Sequence, residues 1–113
     1  MNGIVIALYR PHPGHEDDLV ALLRTHGPAL QEAGFITRRP IVYARSADGT
    51  YLEIVEWIPG YGSRNAHAHP VVGELWRRMA EVSEAATLQS LPEAAMELPH
   101  FEPADHLLSA GPD

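Results

Sequence analysis

The chain contains no cysteine and no lysine. The first absence removes disulfide staples, thiolate metal sites, iron–sulfur clusters and a cysteine nucleophile together, and makes the cytoplasm the expected compartment. The second leaves arginine as the sole cationic side chain besides histidine. Eight arginines face fifteen acidic residues, a formal net charge of -7, so a polyanion would be repelled and nucleic acid is not an expected partner. No long hydrophobic run is present either. The apolar start, Ile4 to Tyr9, is too short for a secretory core and has no basic flank, and nothing approaches the length of a membrane span. Phosphate-loop, dinucleotide-glycine and Gly-x-Ser-x-Gly patterns are likewise missing.

What the chain does have is the composition of a folded domain: 113 residues, 45% hydrophobic and 20% charged. That is enough for one core and too little for two. From Gly3 to Arg10 the pattern alternates, with Ile4, Ile6 and Leu8 on one face and Val5, Ala7 and Tyr9 on the other, which predicts a strand apolar on both sides. Pro11-His-Pro13-Gly14 stops it. Glu16, Asp17 and Asp18 then place negative charge where a helix N-terminus favours it, so a helix is expected from about His15. Leu19, Leu22, Leu23, His26 and Leu30 form its apolar stripe. Gly27-Pro28 predicts a kink, or a break with a short second helix closing at Gly34.

Ile41–Arg45 and Tyr51–Ile58 read as strands joined by an Asp48-Gly49 hairpin turn. On the second of them Tyr51, Val55 and Trp57 oppose Leu52, Ile54 and Ile58. His69-Pro70 predicts the start of a helix with Val72, Leu75, Trp76, Met79 and Val82 buried. A last strand is expected near Ala95–Leu98, and residues 101–113 read as an acidic, proline-containing tail or dimer arm. The order is that of a ferredoxin-like β-α-β-β-α-β unit, α+β in class, with a four-stranded antiparallel sheet over residues 1–100. Two helices cover one sheet face. The other face is apolar too and no further segment reads as long enough to cover it, so a homodimer through the sheet faces is expected.

Three stretches carry a family resemblance: Val5-Ile-Ala-Leu-Tyr-Arg10 followed by Pro13-Gly14-His-Glu16, then Glu53-Ile-Val-Glu-Trp57, then His67-Ala-His69-Pro70-Val-Val72 opening a helix. On these, over roughly residues 3 to 100, the chain resembles the dimeric α+β barrels related to the antibiotic biosynthesis monooxygenases, the ABM-like domains. The resemblance implies a homodimer with an apolar cavity between sheet and helices in each unit. It also implies a choice among cofactor-free oxygenases of aromatic polyketides, quinol oxygenases, haem-degrading enzymes and members with no established activity. The haem-degrading pattern needs an asparagine on the first strand and a histidine within the second long helix. Neither is present between Ile4 and Arg10 or between Val71 and Ala86, so haem degradation is set aside.

The candidate site residues follow from chemistry. His67 and His69, two apart in a segment expected to be extended, project to one side at the mouth between sheet and helix. Either is a candidate general base. A metal at this pair would need a third ligand from His12, His15, His26 or a carboxylate. No spacing demands one, so no metal or other cofactor is assigned. Trp57, Trp76, Tyr9 and Tyr61 are the candidate substrate-binding residues, since each joins an apolar ring to a polar tip. The bland reading of each is packing. Glu53 and Glu56, on opposite faces of one strand, are expected to pair with arginines rather than with each other. The function expected is that of a small ABM-like protein, a cofactor-independent monooxygenase or related enzyme acting on an aromatic or polyketide-like molecule. The competing expectation is a non-catalytic ligand-binding or structural homodimer.

Overall fold

The alternation of Gly3–Pro11 is realised as strand β1, and the acidic turn that follows opens helix α1, Glu16–Ala33. The computed structural model describes residues 1–60 and 63–108, without the side chains of Ser63 and Arg64. Helix α1 runs through Pro28 without the expected break. Proline gives up one backbone bond there, yet the helix closes only where Gly34 adopts the left-handed conformation, φ 83°. What keeps it continuous across Pro28 is its buried stripe, Leu19, Leu22, Leu23, His26 and Leu30.

Strands β2, Val42–Arg45, and β3, Tyr51–Trp57, form the expected hairpin. Gly49 takes φ 92° in its turn and the Ser46 N–H donates to the Thr50 carbonyl at 2.8 Å. Beyond β3 come α2, Ser63–Ala68, and α3, Pro70–Val82. Helix α3 ends abruptly. The Ser83 hydroxyl donates to the Met79 carbonyl at 2.7 Å and its backbone is extended, so the chain passes straight into β4, Ser83–Ala85. After two short 3-10 turns, Leu88–Ser90 and Pro92–Ala95, come β5, Glu102–Pro103, and α4, Asp105–Leu108.

All pairings are antiparallel, and the sheet order is β4-β1-β3-β2-β5. The protein is therefore α+β with five strands rather than the expected four. No strand forms at Ala95–Leu98. Ser83–Ala85 holds the edge of β1 and Glu102–Pro103 that of β2, so the edge positions a last strand would take on β1 or β2 are already filled. The first part of the expected tail belongs to the fold. Ala104 and Leu108 are buried with Leu19, Leu22, Leu23 and Tyr43, and Asp105 accepts the Tyr43 N–H at 3.1 Å.

Helices α1 and α3 share one face of the sheet, with Leu30, Phe35, Ile36, Val55, Ala66 and Val72 completing that core. The second face is partly covered by the chain itself, against expectation. Leu91 and Phe101 pack on Leu8, Leu52 and Ala44. Glu93 pins this cover to the hairpin, its carboxylate accepting the Ser46 hydroxyl at 2.7 Å and the Ala47 N–H at 2.8 Å. At the other end of the face the cover stops. Ile6, Ile54 and Val42 lie in register across three strands, and Ile4, Ile6 and Val42 are 57%, 39% and 49% exposed. Among the described residues no helix is long and apolar enough to cross a membrane.

The Ala47 N–H, then the Ser46 hydroxyl, hold the Glu93 carboxyl below its ordinary value of 4.5. A lowered folded-state pKa contributes stability that is present above 4.5 and lost as pH falls through the depressed value. Glu93→Gln is expected to lower the urea midpoint at pH 7 and to flatten its decline between pH 5 and 3 relative to the parent. An unchanged acid limb would show that Glu93 does not anchor this segment.

Candidate functional site

The central residue of the site is a carboxylate where the strand pattern calls for an apolar side chain. Glu53 sits in the middle of β3, between Ala7 of β1 and Tyr43 of β2, on the face covered by α1. It is 1% exposed. A bare charge there would be prohibitively costly, so its partners decide whether the fold can hold it.

They come from three elements. His26, on the buried stripe of α1 and itself 2% exposed, presents Nδ1 to Glu53 at 2.9 Å from Oε1 and 3.1 Å from Oε2. The Tyr43 hydroxyl donates to Oε2 at 2.8 Å, and the Tyr9 hydroxyl to Oε1 at 3.4 Å. Gly27 makes the approach of α1 possible. A Cβ at that position would come within 2.6 Å of Ile41 Cδ1 and 2.9 Å of Tyr43 Oη, so a larger residue would force those side-chain tips, and with them the Tyr43 hydroxyl, to move.

On its far side His26 Nε2 receives the Trp76 indole Nε1–H at 2.8 Å. An indole only donates, so Nε2 must carry the lone pair and Nδ1 the hydrogen. The chain Trp76–His26–Glu53 thus fixes one neutral tautomer, with the carboxylate orienting the ring. Both tyrosines ionise less readily than usual. Burial, and then the neighbouring charge of Glu53, push the Tyr9 and Tyr43 phenols well up, so they act as hydrogen-bond donors.

Beside this chain lies an apolar cavity of about 340 Å³, lined by Val5, Ala7, Tyr9, His26, Leu30, Glu53, Val55, Trp57 and Trp76. Its volume falls in the range of small-molecule sites. The space exists because β1 presents the small side chains Val5 and Ala7 to this face beside Tyr9. A second cavity of about 330 Å³ lies on the other side of Tyr9 and Trp76, walled by Met79, Ala80, Ser83, Glu84 and Ala85.

Of the residues expected from sequence, Tyr9, Trp57 and Trp76 come together on the first cavity, with Trp57 stacked on Phe35 at 5.9 Å. His67 and His69 do not join them. Only His69 keeps the expected extended backbone; His67 is helical and lies exposed on α2, with its ring edge-on to Trp76 at 4.7 Å. His69 caps α3, its Nδ1 accepting the N–H groups of Val71 and Val72 at 3.2 Å each. Gly73 lets the two helices meet this closely, since any Cβ there would collide with the His67 carbonyl. Tyr61 lies outside the described residues.

His26 and Glu53 were missed as a pair. The signal was one polar residue in each of two buried apolar faces, but nothing in the sequence aligns residue 26 with residue 53. The expected arginine partner holds for Glu56, which accepts from Thr37 at 2.9 Å and Arg39 at 3.2 Å. It does not hold for Glu53. No group of three or more His, Asp or Glu side chains suited to a metal gathers among the described residues. Compared with family models, curated proteins and solved structures, the chain matches none of them.

His26→Ala removes the partner that reaches both oxygens of a buried carboxylate and is expected to cost about 3 kcal/mol of folding stability. Tyr43→Phe should cost about 2 kcal/mol. Because both act on one group, the double variant should depart from additivity. Urea unfolding of the four proteins measures this, and strictly additive small losses would mean that Glu53 is not held by these contacts.

Proposed function

We propose that the protein is a small ABM-like enzyme, a cofactor-independent monooxygenase or a close chemical relative, which takes a small aromatic or polyketide-like molecule into the cavity beside His26. One observation carries the reading: a histidine tied through Nδ1 to a buried carboxylate forms part of the wall of an otherwise apolar cavity of ligand size. His26 takes over the role of base that the sequence suggested for His67 or His69. With its hydrogen held on Nδ1 by Glu53, it offers the Nε2 lone pair to an acidic O–H or enol, and Glu53 balances the imidazolium that forms. Val5, Ala7, Leu30, Val55 and Trp57 give the anion an apolar wall.

The oxygen chemistry comes from the family resemblance. For a methylene activated by a neighbouring aromatic hydroxyl, two C–H bonds are lost, one atom of dioxygen becomes the carbonyl oxygen and the other leaves as water. No external reductant is consumed. The same resemblance takes the strand order β4-β1-β3-β2, with α1 and α3 on one face, as a ferredoxin-like unit. Two such units would pair into a dimeric α+β barrel through the face of exposed Ile4, Ile6 and Val42 and half-buried Ile54, an apolar area that favours a self-complementary contact.

A second reading, a ligand-binding or structural homodimer without catalysis, is favoured by the fact that both ring nitrogens of His26 are already bonded within the chain.

Turnover separates the two. With an anthrone or a naphthohydroquinone, dioxygen uptake is expected for the parent protein, reduced about a hundredfold or more in His26→Gln and less in Glu53→Gln. Absence of uptake with either class, or uptake indifferent to His26, favours the non-catalytic reading. Independently, sedimentation at micromolar concentration should find a dimer for the parent and a folded monomer for Ile54→Glu. A folded parent monomer would remove the barrel.

A further inference from the structure

Trp76 belongs to both cavities, standing with Tyr9 between the Trp57 side and the recess formed by Met79, Ala80 and Ser83. Its indole N–H also covers the sole lone pair that His26 offers. We propose that Trp76 is a displaceable cap: a flat, neutral ligand bearing an O–H enters from the Trp57 side, its hydroxyl replaces the indole as the donor to His26 Nε2, and the indole withdraws into the recess. The inference rests on the reading of the first cavity as a ligand site.

Three features support it. The recess is about 330 Å³, room for an indole that moves without disturbing the core. Trp76 itself is only half-buried, at the margin of two core clusters, and its ring meets the exposed ring of His67. Replacement must be donor for donor, because Nε2 accepts only. A ketone or a carboxylate would leave two lone pairs facing each other, and a carboxylate would also add a second negative charge near Glu53. The site would therefore select hydroxylated rings over their keto or acid counterparts, with Trp76 as the residue that sets the selection. One neutral hydrogen bond is at stake, so removing the indole N–H should help a competing donor by about three- to tenfold.

The test follows the Trp76 indole N–H resonance in a ¹H–¹⁵N spectrum of the full chain, assigned with Trp57→Phe, while 2-naphthol, naphthalene and 2-naphthoate are added at matched sub-millimolar concentration. 2-Naphthol is expected to shift the Trp76 resonance, the other two to leave it in place, and Trp76→Phe to bind 2-naphthol three- to tenfold more tightly than the parent. If 2-naphthol and naphthalene bind alike while the resonance stays, the cap is overturned and the cavity reading survives. Displacement by 2-naphthoate would overturn the donor rule. If no probe binds the parent or Trp76→Phe, both the cap and the reading beneath it fall.

Discussion

A negative charge in the middle of the helix–sheet layer is the constraint that shapes this molecule. Glu53 lies on the central strand, where an aliphatic side chain would pack at no electrostatic cost, and it can be buried only because His26, Tyr43 and Tyr9 converge on its two oxygens. Each partner imposes something on the fold. His26 fixes how α1 rotates over the sheet, Gly27 fixes how near it comes, and Tyr43 ties β2 to the same point. A buried charge held by hydrogen bonds is a weak source of net stability, since desolvation offsets most of the attraction. This one lies against a cavity rather than in a filled core, which is where a functional role is the more natural explanation.

The cavity and the network are consequences of one choice of side chains. Small residues on β1 leave space over the sheet, and two tryptophans close that space without filling it. Trp76 does both jobs, since its ring is wall and its N–H completes the hydrogen bonding of His26. Both ring nitrogens of His26 are thus bonded within the chain itself.

The two faces of the sheet are finished by different means. On one, α1 and α3 supply the cover, leaving the cavity over Val5 and Ala7. On the other, the segment containing Leu91 and Phe101 reaches only part way, held by Glu93 to the hairpin. The bare end, with Ile6, Ile54 and Val42 in one row, marks where self-association would be most favourable.

Much of the architecture was legible because it depends on local periodicity and stop signals. The two-residue alternation of β1 and β3, the three- and four-residue spacing in α1 and α3, Asp48-Gly49 in the hairpin and His69-Pro70 at the start of α3 all act within a few residues of themselves. The misreadings have a common cause. Whether Pro28 breaks a helix, whether Ala95–Leu98 becomes a strand, and what covers the second face depend on packing and on free sheet edges, which are set by distant segments. The site shows the same division. Tyr9, Trp57 and Trp76 were identifiable one at a time from their chemistry, and the sequence by itself determined that each would carry an apolar ring and a polar tip. That His26 meets Glu53 across 27 positions, and that His69 is spent on a helix cap, was decided only when α1 settled on the sheet, because a hydrogen bond depends on ångström-scale distance in space and sequence spacing encodes no such distance between separate elements.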